Sequence, residues 1–156
     1  MNKEALITAI KTSTSEVLET MFFMPVDFLS AGKEITEPSS NGGDVAVRLD
    51  FSGPDSGCFR LRVPAPLARD VSIDFLGIDH DQLTDDDVAG TVKEMINMLA
   101  GNTLSLYDAD AVFDLGVPEV DTGTDGTRDC SRQPASVALE VLTLASRMTV
   151  AVDYRD

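Results

Sequence analysis

Between residues 83 and 108 the chain reads LTDDDVAGTVKEMINMLAGNTLSLYD, and this segment predicts one long helix. Thr84 is placed to cap the first turn, and Asp87 stands three residues later, where a capping box uses an acidic side chain. Asp85 and Asp86 add negative charge to the first turn, where the helix dipole favours it. We therefore expect the helix to begin directly after Thr84.

This helix has two different faces. At about 100° per residue its large apolar side chains fall on one side, which we expect to be buried. These residues are Val88, Val92, Met95, Ile96, Leu99 and Leu106. Gly90, Glu94, Asn97 and Gly101 follow one another at spacings of four, three and four residues and lie on the opposite side. We name these four residues the outer strip.

The two glycines of the outer strip are unusual for a helix. A glycine inside a helix costs about 0.5–1 kcal/mol relative to alanine. One interpretation is a solvated face that ends in a glycine-punctuated turn, with Gly101 and Asn102 as the C-cap. The other is a low-relief contact strip, where the surface of another protein approaches Glu94 and Asn97 closely. Spacing alone leaves both interpretations open.

Length and charge exclude several classes of function. The chain has 156 residues, enough for one domain with a substantial core, and we expect residues 1–156 to form a single domain. Its formal net charge of −15 argues against binding to nucleic acid or to anionic membranes, since both need a cationic patch. A partner with a basic surface fits this charge, although high charge also simply confers solubility. With neither a secretory signal nor a membrane-spanning segment in the sequence, we expect a cytoplasmic protein.

Few side chains suit metal binding or nucleophilic catalysis. His80 is the only histidine, so a zinc hydrolase or a histidine-based triad lacks its residues. Cys58 and Cys130 lack CxxC spacing, and we interpret them as reduced thiols. Residues 121–127 are rich in Asp, Thr and Gly but do not follow the register of an EF-hand loop. The sequence therefore predicts no metal site.

The rest of the chain predicts an α+β fold. Apolar residues at helical spacing indicate helices over residues 3–24, ended by Pro25, and over residues 65–76. Alternation of apolar and polar residues indicates strands over residues 44–51, 58–63, 111–117, 136–143 and 148–154. Turn-forming and polar residues indicate loops over residues 38–43 and 119–134. Because helices and hairpins are segregated along the chain, we expect an antiparallel sheet with long helices packed on one face.

The first helix contains a second, imperfect copy of the central pattern. Residues 15–23, SEVLETMFF, can be aligned with the central helix so that Glu16 matches Glu94 and Glu19 matches Asn97. The first copy then has ExxE where the central helix has ExxN, and a carboxylate lacks the hydrogen-bond donors of an amide. We expect a degenerate internal repeat with one active site.

Residues 94–102, EMINMLAGN, resemble the ExxN segment of the CheC/CheX/FliY phosphatases of bacterial chemotaxis, and the CheX branch in particular. Glu94 and Asn97 occupy the two positions of that motif, and Pro118 matches a proline that these families carry further along. Gly90 departs from the family, which favours Asp or Ser four residues before the Glu. Residues 17–23, VLETMFF, are also similar to the opening helix of CheX proteins, and the order of elements is similar to the CheX fold with its internal repeat.

The resemblance implies a phosphatase that hydrolyses the aspartyl phosphate of a CheY-type response-regulator receiver domain, in chemotaxis or related two-component signalling. It implies that Asn97 positions the attacking water and that Glu94 pairs with the active-site lysine of the receiver. Gly90 and Gly101 would let the receiver approach the backbone. The receiver would supply Mg²⁺, and this chain would need no cofactor of its own.

Two other functions fit the same sequence. A non-catalytic module of this fold could bind a receiver or a motor component through the same strip. A structural subunit could instead use the outer strip for a homo-oligomer contact. The resemblance also implies a homodimer, because CheX relatives often pair through the edges of their sheets.

Overall fold

The chain forms an antiparallel sheet with its helices packed against one face, as seen in a computed structural model that describes residues 1–28, 44–121, 137–143 and 146–155. The helices are α1 (Lys3–Met21), α2 (Ala65–Leu76) and α3 (Asp85–Tyr107), with a single 3-10 turn at His80–Gln82. The strands are β1 (Asp27–Phe28), β2 (Asp44–Ser52), β3 (Ser56–Pro64), β4 (Asp114–Leu115), β5 (Glu119–Val120), β6 (Val137–Leu142) and β7 (Arg147–Arg155). This architecture confirms the α+β fold.

The strand order is β1-β6-β7-β3-β2-β4, and β5 also pairs with β2. Every described pairing is antiparallel. The hairpin of β2 and β3 places Leu49 opposite Phe59, and β7 adds Val152 on the other side of Phe59. Since alternate residues of a strand share one face, these three side chains form an apolar row.

The core lies between that face of the sheet and the three helices. Strand residues that point inward alternate with polar ones, and the inward residues Leu49, Phe59 and Leu61 are at most 1% exposed. Apolar side chains of α1, α2 and α3 complete the same cluster, among them Leu18, Val71 and Ile96. The sheet therefore supports α3 along its length and fixes which way its faces point.

The start of α3 follows the prediction. The Thr84 side chain accepts a hydrogen bond from the backbone N–H of Asp87, and the Asp87 carboxylate accepts one from the N–H of Thr84, both at 3.1 Å. This reciprocal pair is a capping box and holds the first turn. The C-cap predicted as one alternative at Gly101 and Asn102 is wrong, because the helix continues through them to Tyr107.

One residue of the predicted buried stripe lies outside the core. Val88, Val92, Met95, Ile96 and Leu99 are buried as expected, but Leu106 is 46% exposed. The last turns of α3 bury Thr103 and Leu104 instead, and Tyr107 also packs against the core, so a different side of the helix faces the core near its end.

Two predicted boundaries differ from the structure. Helix α1 ends at Met21 rather than at residue 24, because Phe23 adopts a left-handed conformation (φ 55°) that interrupts the helix before Pro25. The strand predicted over residues 111–117 is reduced to β4, with β5 following it. The N–H of Gly116 donates to the carbonyl of Asp50 at 2.7 Å, and Pro118 has no N–H for a continuous ladder.

Some predictions fall on residues that the structure does not describe. The loop over residues 38–43 lies outside the described residues, as do Cys130 and most of the loop over residues 119–134, whose first two residues form β5. Cys58 is buried in β3. Among the described residues, no helix is both long enough and apolar enough to cross a membrane. The internal repeat stays a prediction.

Candidate functional site

The outer strip lies on the face of α3 that points away from the core. Gly90 and Glu94 are exposed, while Asn97 and Gly101 are half-buried. Met95 and Ile96, which stand between the two polar residues in sequence, are 0% and 1% exposed and anchor the opposite face. The fold therefore leaves the side chain of Glu94 exposed and that of Asn97 partly exposed, one helical turn apart.

The side chains of Glu94 and Asn97 are not held by polar contacts in the part of the chain that the structure describes. Neither side chain takes part in a hydrogen bond or an ion pair there. A carboxylate and an amide together offer acceptors and donors, and in this arrangement all of them remain available to another molecule. The site can therefore bind and orient polar groups that a partner brings to it.

The two glycines of the outer strip are not required by the packing of the chain itself. A Cβ added at Gly90 meets nothing within 4 Å, and one added at Gly101 meets only the Cδ1 atom of Leu115 at 3.7 Å, an ordinary contact. Alanine would fit at both positions and would favour the helix. The packing of the described residues thus gives no reason for glycine, and the contact-strip interpretation supplies one.

Helix α1 supports one flank of the outer strip. The hydroxyl of Ser13 donates to the carbonyl of Leu99 at 3.1 Å in the core, and Nδ2 of Asn102 donates to Oε2 of Glu16 at 3.1 Å near the surface. These contacts fix the rotation of α3 and so the direction of the strip. Asn102 thus joins α3 to Glu16 of α1, in place of the C-cap role that was one of the two interpretations of the sequence.

The other flank is a hollow of about 320 Å³ at the end of α3. We name it the end hollow, and its lining includes Gly101, Leu104, Asp108, Val112, Phe113 and Leu115. The alternating pattern of residues 111–117 predicts a strand and gives no indication of a hollow. The only signal in the sequence was the glycine at position 101, which leaves the hollow open on its helix side.

A partly buried ion pair holds the segment beyond the end hollow. Arg48 of β2 is 8% exposed, and its guanidinium lies 3.3 Å from the carboxylate of Glu119 in β5. Burial tends to lower the pKa of Arg48, but the hydrogen bond to Glu119 and the charges of Glu119, Asp121 and Asp50 outweigh burial and raise the pKa above its ordinary value. Pro118, half-buried between β4 and β5, therefore stands in a segment fixed to the sheet.

The described residues contain no cluster of three or more His, Cys, Asp or Glu side chains that could hold a metal ion. The chemistry of the outer strip within those residues is therefore that of one carboxylate and one carboxamide. Such a pair can accept a cation and position a small polar molecule.

Comparison with known structures places the fold among chemotaxis proteins. The chemotaxis protein CheX from Vibrio vulnificus superposes with a TM-score of 0.73 at 20% identity, covering 96% of both chains. A CheC-like superfamily protein from Shewanella sp. PV-4 gives 0.73 at 20% identity over 100% of both chains. The CheX–CheY–BeF3–Mg²⁺ complex from Borrelia burgdorferi gives 0.64 at 22% identity, over 97% of this chain and 98% of that one.

Sequence comparison identifies the family. No curated protein sequence matches the chain. The family profile described as chemotaxis phosphatase CheX matches residues 45–142. The match spans more than half of the 156 residues and includes all of α3 with its outer strip. The chain therefore belongs to the CheX family of chemotaxis proteins.

Proposed function

We propose that this protein is a phosphatase that hydrolyses the aspartyl phosphate of a CheY-like receiver domain. The observation that carries the proposal is the state of Glu94 and Asn97, which project from α3 without a partner in the described part of the chain. Their position within the CheX match and the CheY-bound relative from B. burgdorferi support the same partner class. We further propose that residues 1–156 act as one domain in the cytoplasm.

The reaction requires little covalent chemistry from the phosphatase. The oxygen of a water molecule forms a bond to phosphorus while the bond from phosphorus to the aspartyl oxygen breaks, giving aspartate and inorganic phosphate, which carries both protons of the water. The carboxylate is already a good leaving group. The barrier that remains is the placement of water in line with the phosphorus.

Asn97 is suited to that placement. Its amide oxygen can accept a hydrogen bond from the water, and its nitrogen can donate one to the water or to a phosphoryl oxygen. An amide does not titrate, so this role needs no proton transfer to the protein. Asn97 is half-buried on a helix that packs against the core. Its side chain therefore has fewer accessible conformations than a side chain on a loop.

Glu94 is suited to orienting the partner. It lies one turn before Asn97 on the same face and is exposed, so it can reach a lysine beside the phosphorylated aspartate. A carboxylate enclosed in an interface needs such a cation, since burying it alone costs several kcal/mol. Mg²⁺ would arrive bound to the receiver and would neutralise charge on the phosphoryl group.

The experiment is a single-turnover assay with receivers from the same organism, each charged with acetyl phosphate. We expect the wild-type protein to accelerate loss of the phosphoryl group, and Asn97→Ala to reduce that acceleration by about 100-fold, as for a misplaced reactant, with binding largely kept. Glu19→Ala, at the matching position of α1, is the control and should keep full activity. Receivers that lose phosphate no faster with the wild-type protein than alone would refute the proposal.

The same assay separates the alternatives. A non-catalytic binding module would bind the charged receiver without changing its decay. A structural subunit would not bind it at all, and its mass in solution would change when Gly90 and Gly101 are substituted. A homodimer is compatible with all three functions and is tested by the mass of the wild-type protein.

A further inference from the structure

The end hollow is bounded by residues that pack against the core or are held by backbone hydrogen bonds. Its floor residue Leu104 is 3% exposed. Phe113 packs edge-on against Phe51 with ring centroids 6.1 Å apart, and β4 pairs Leu115 with Phe51. Backbone hydrogen bonds from Asp108 to Leu104 and from residue 111 to Asp108 close the turn after α3. A pre-organised cavity binds a ligand group without an ordering cost.

One side of the end hollow is formed by exposed apolar residues, while Ser105 and Asp108 are the polar residues of the lining. Val112 is 79% exposed and Leu115 is 37% exposed, and both line the hollow. Scattered exposed apolar side chains are ordinary, but a concave cluster of them marks an interaction site. Asp108, which is exposed, is the charged group of the lining.

The end hollow is continuous with the outer strip. Gly101 belongs to both, and it stands one turn after Asn97 on the same face of α3. At 1.5 Å per residue, the hollow extends from about 6 Å to about 16 Å beyond Asn97 along the helix. A protein interface of ordinary size covers about 800 Å² per partner, roughly 30 Å across. A receiver centred on Asn97 reaches about 15 Å from it and therefore covers most of the end hollow.

We propose that the end hollow is a specificity pocket that receives one aliphatic or aromatic side chain of the receiver, next to a basic side chain that pairs with Asp108. This inference rests on the proposed function, because the receiver brought to Asn97 is the occupant. A second copy of this chain is a poorer occupant, since each copy carries a net charge of −15 and would bring like charge to Asp108. Buried apolar anchors in such pockets commonly dominate binding energy.

The glycine at position 101 gives the pocket its opening. Any larger side chain there would project toward Leu115, whose Cδ1 atom lies 3.7 Å from the Cβ that alanine would have. Alanine would fit, whereas leucine would fill the pocket from the helix side. The pocket thus explains a residue that the packing of the described residues does not require.

The test compares two valines of nearly equal exposure. Val112→Asp places a carboxylate on the rim, and Val117→Asp places the same charge at an 81% exposed residue that does not line the pocket. For the wild-type protein and both variants, the decay rate of the charged receiver is measured against protein concentration. We expect Val112→Asp to raise the half-saturating concentration about tenfold with the maximal rate within twofold, and Val117→Asp to change neither. If the two substitutions changed the half-saturating concentration equally, the proposed specificity pocket would be refuted.

A second variant and a binding measurement distinguish failure of the pocket proposal from failure of the proposed function. Gly101→Leu should raise the half-saturating concentration in the same way, and a melting temperature no lower than that of the wild type shows that it folds. Titration calorimetry with the beryllofluoride-loaded receiver measures affinity without turnover. If the wild-type protein binds this receiver but does not speed decay, the proposed function fails, and the affinities of the variants still decide the pocket. If the wild-type protein does not bind the receiver, both proposals fail.

Discussion

Nδ2 of Asn102 donates to Oε2 of Glu16 at 3.1 Å, which joins α3 to α1 beside the outer strip. Glu16 is the residue that aligns with Glu94 when the first helix is laid over the central one. The two glutamates therefore differ in whether their side chains have a hydrogen-bond partner in the described part of the chain. Glu16 holds the two helices together, whereas Glu94 has no partner in the described part of the chain.

This difference predicts that replacing glutamate with glutamine impairs function at position 94 but not at position 16. Glu94→Gln removes the charge that we assign to the receiver lysine, so it should weaken binding of the charged receiver several-fold and flatten its dependence on salt, since a screened ion pair is lost. Glu16→Gln is the matched control. It should leave activity and its salt dependence unchanged, because its amide can still accept from Asn102. Salt curves of the decay assay for both variants are the measurement, and identical curves would contradict the assignment of Glu94.

Gly90→Ala should separate stability from function. A Cβ at this position meets nothing within 4 Å, and alanine favours a helix over glycine by about 0.5–1 kcal/mol. The variant should therefore have a higher free energy of unfolding in urea. If the receiver approaches the backbone at Gly90, the same methyl group should raise the half-saturating concentration of the decay assay. A variant that is more stable than the wild type but has the same half-saturating concentration would show that Gly90 is not part of the interface.

Arg48→Ala should lower the free energy of unfolding, and the decrease should be the same at pH 6 and at pH 8. Removal of the guanidinium leaves the carboxylate of Glu119 without this partner and loosens β5 from β2, a loss of about 1–3 kcal/mol. The raised pKa of Arg48 means that its charge contributes below its unfolded pKa and is lost only as the pH rises through the folded one. Both lie above neutral pH. Urea unfolding should thus give the same difference from wild type at pH 6 and at pH 8, and a difference that changes over this interval would contradict it.

The sequence predicted the elements that depend on local chemistry. The capping box at Thr84 and Asp87 and the alternation in β2, β3, β6 and β7 appear in the structure close to their expected bounds. These features depend on neighbouring residues or on a simple period, which a sequence displays directly. The exposure of Glu94 followed from the same periodicity.

The features that the sequence did not predict depend on contacts between distant residues. The division of the segment over residues 111–117 depends on the carbonyl of Asp50, which accepts from Gly116. The burial of Arg48 depends on Glu119, 71 residues away. The end hollow combines the last turns of α3 with β4 and the turn between them. Periodicity within one segment contains no information about such neighbours.

Helix α3 uses opposite faces for the core and for the outer strip, and this division has an evolutionary consequence. Glu94 and Asn97 owe their placement to residues such as Met95 and Ile96, which no partner touches while they remain in the core. Changes at the rim, at Val112 or Asp108, leave that placement intact. Under the proposed function, descendants of this chain can thus acquire a new receiver by altering a few peripheral residues, while the geometry of Glu94 and Asn97 passes unchanged from one lineage to the next.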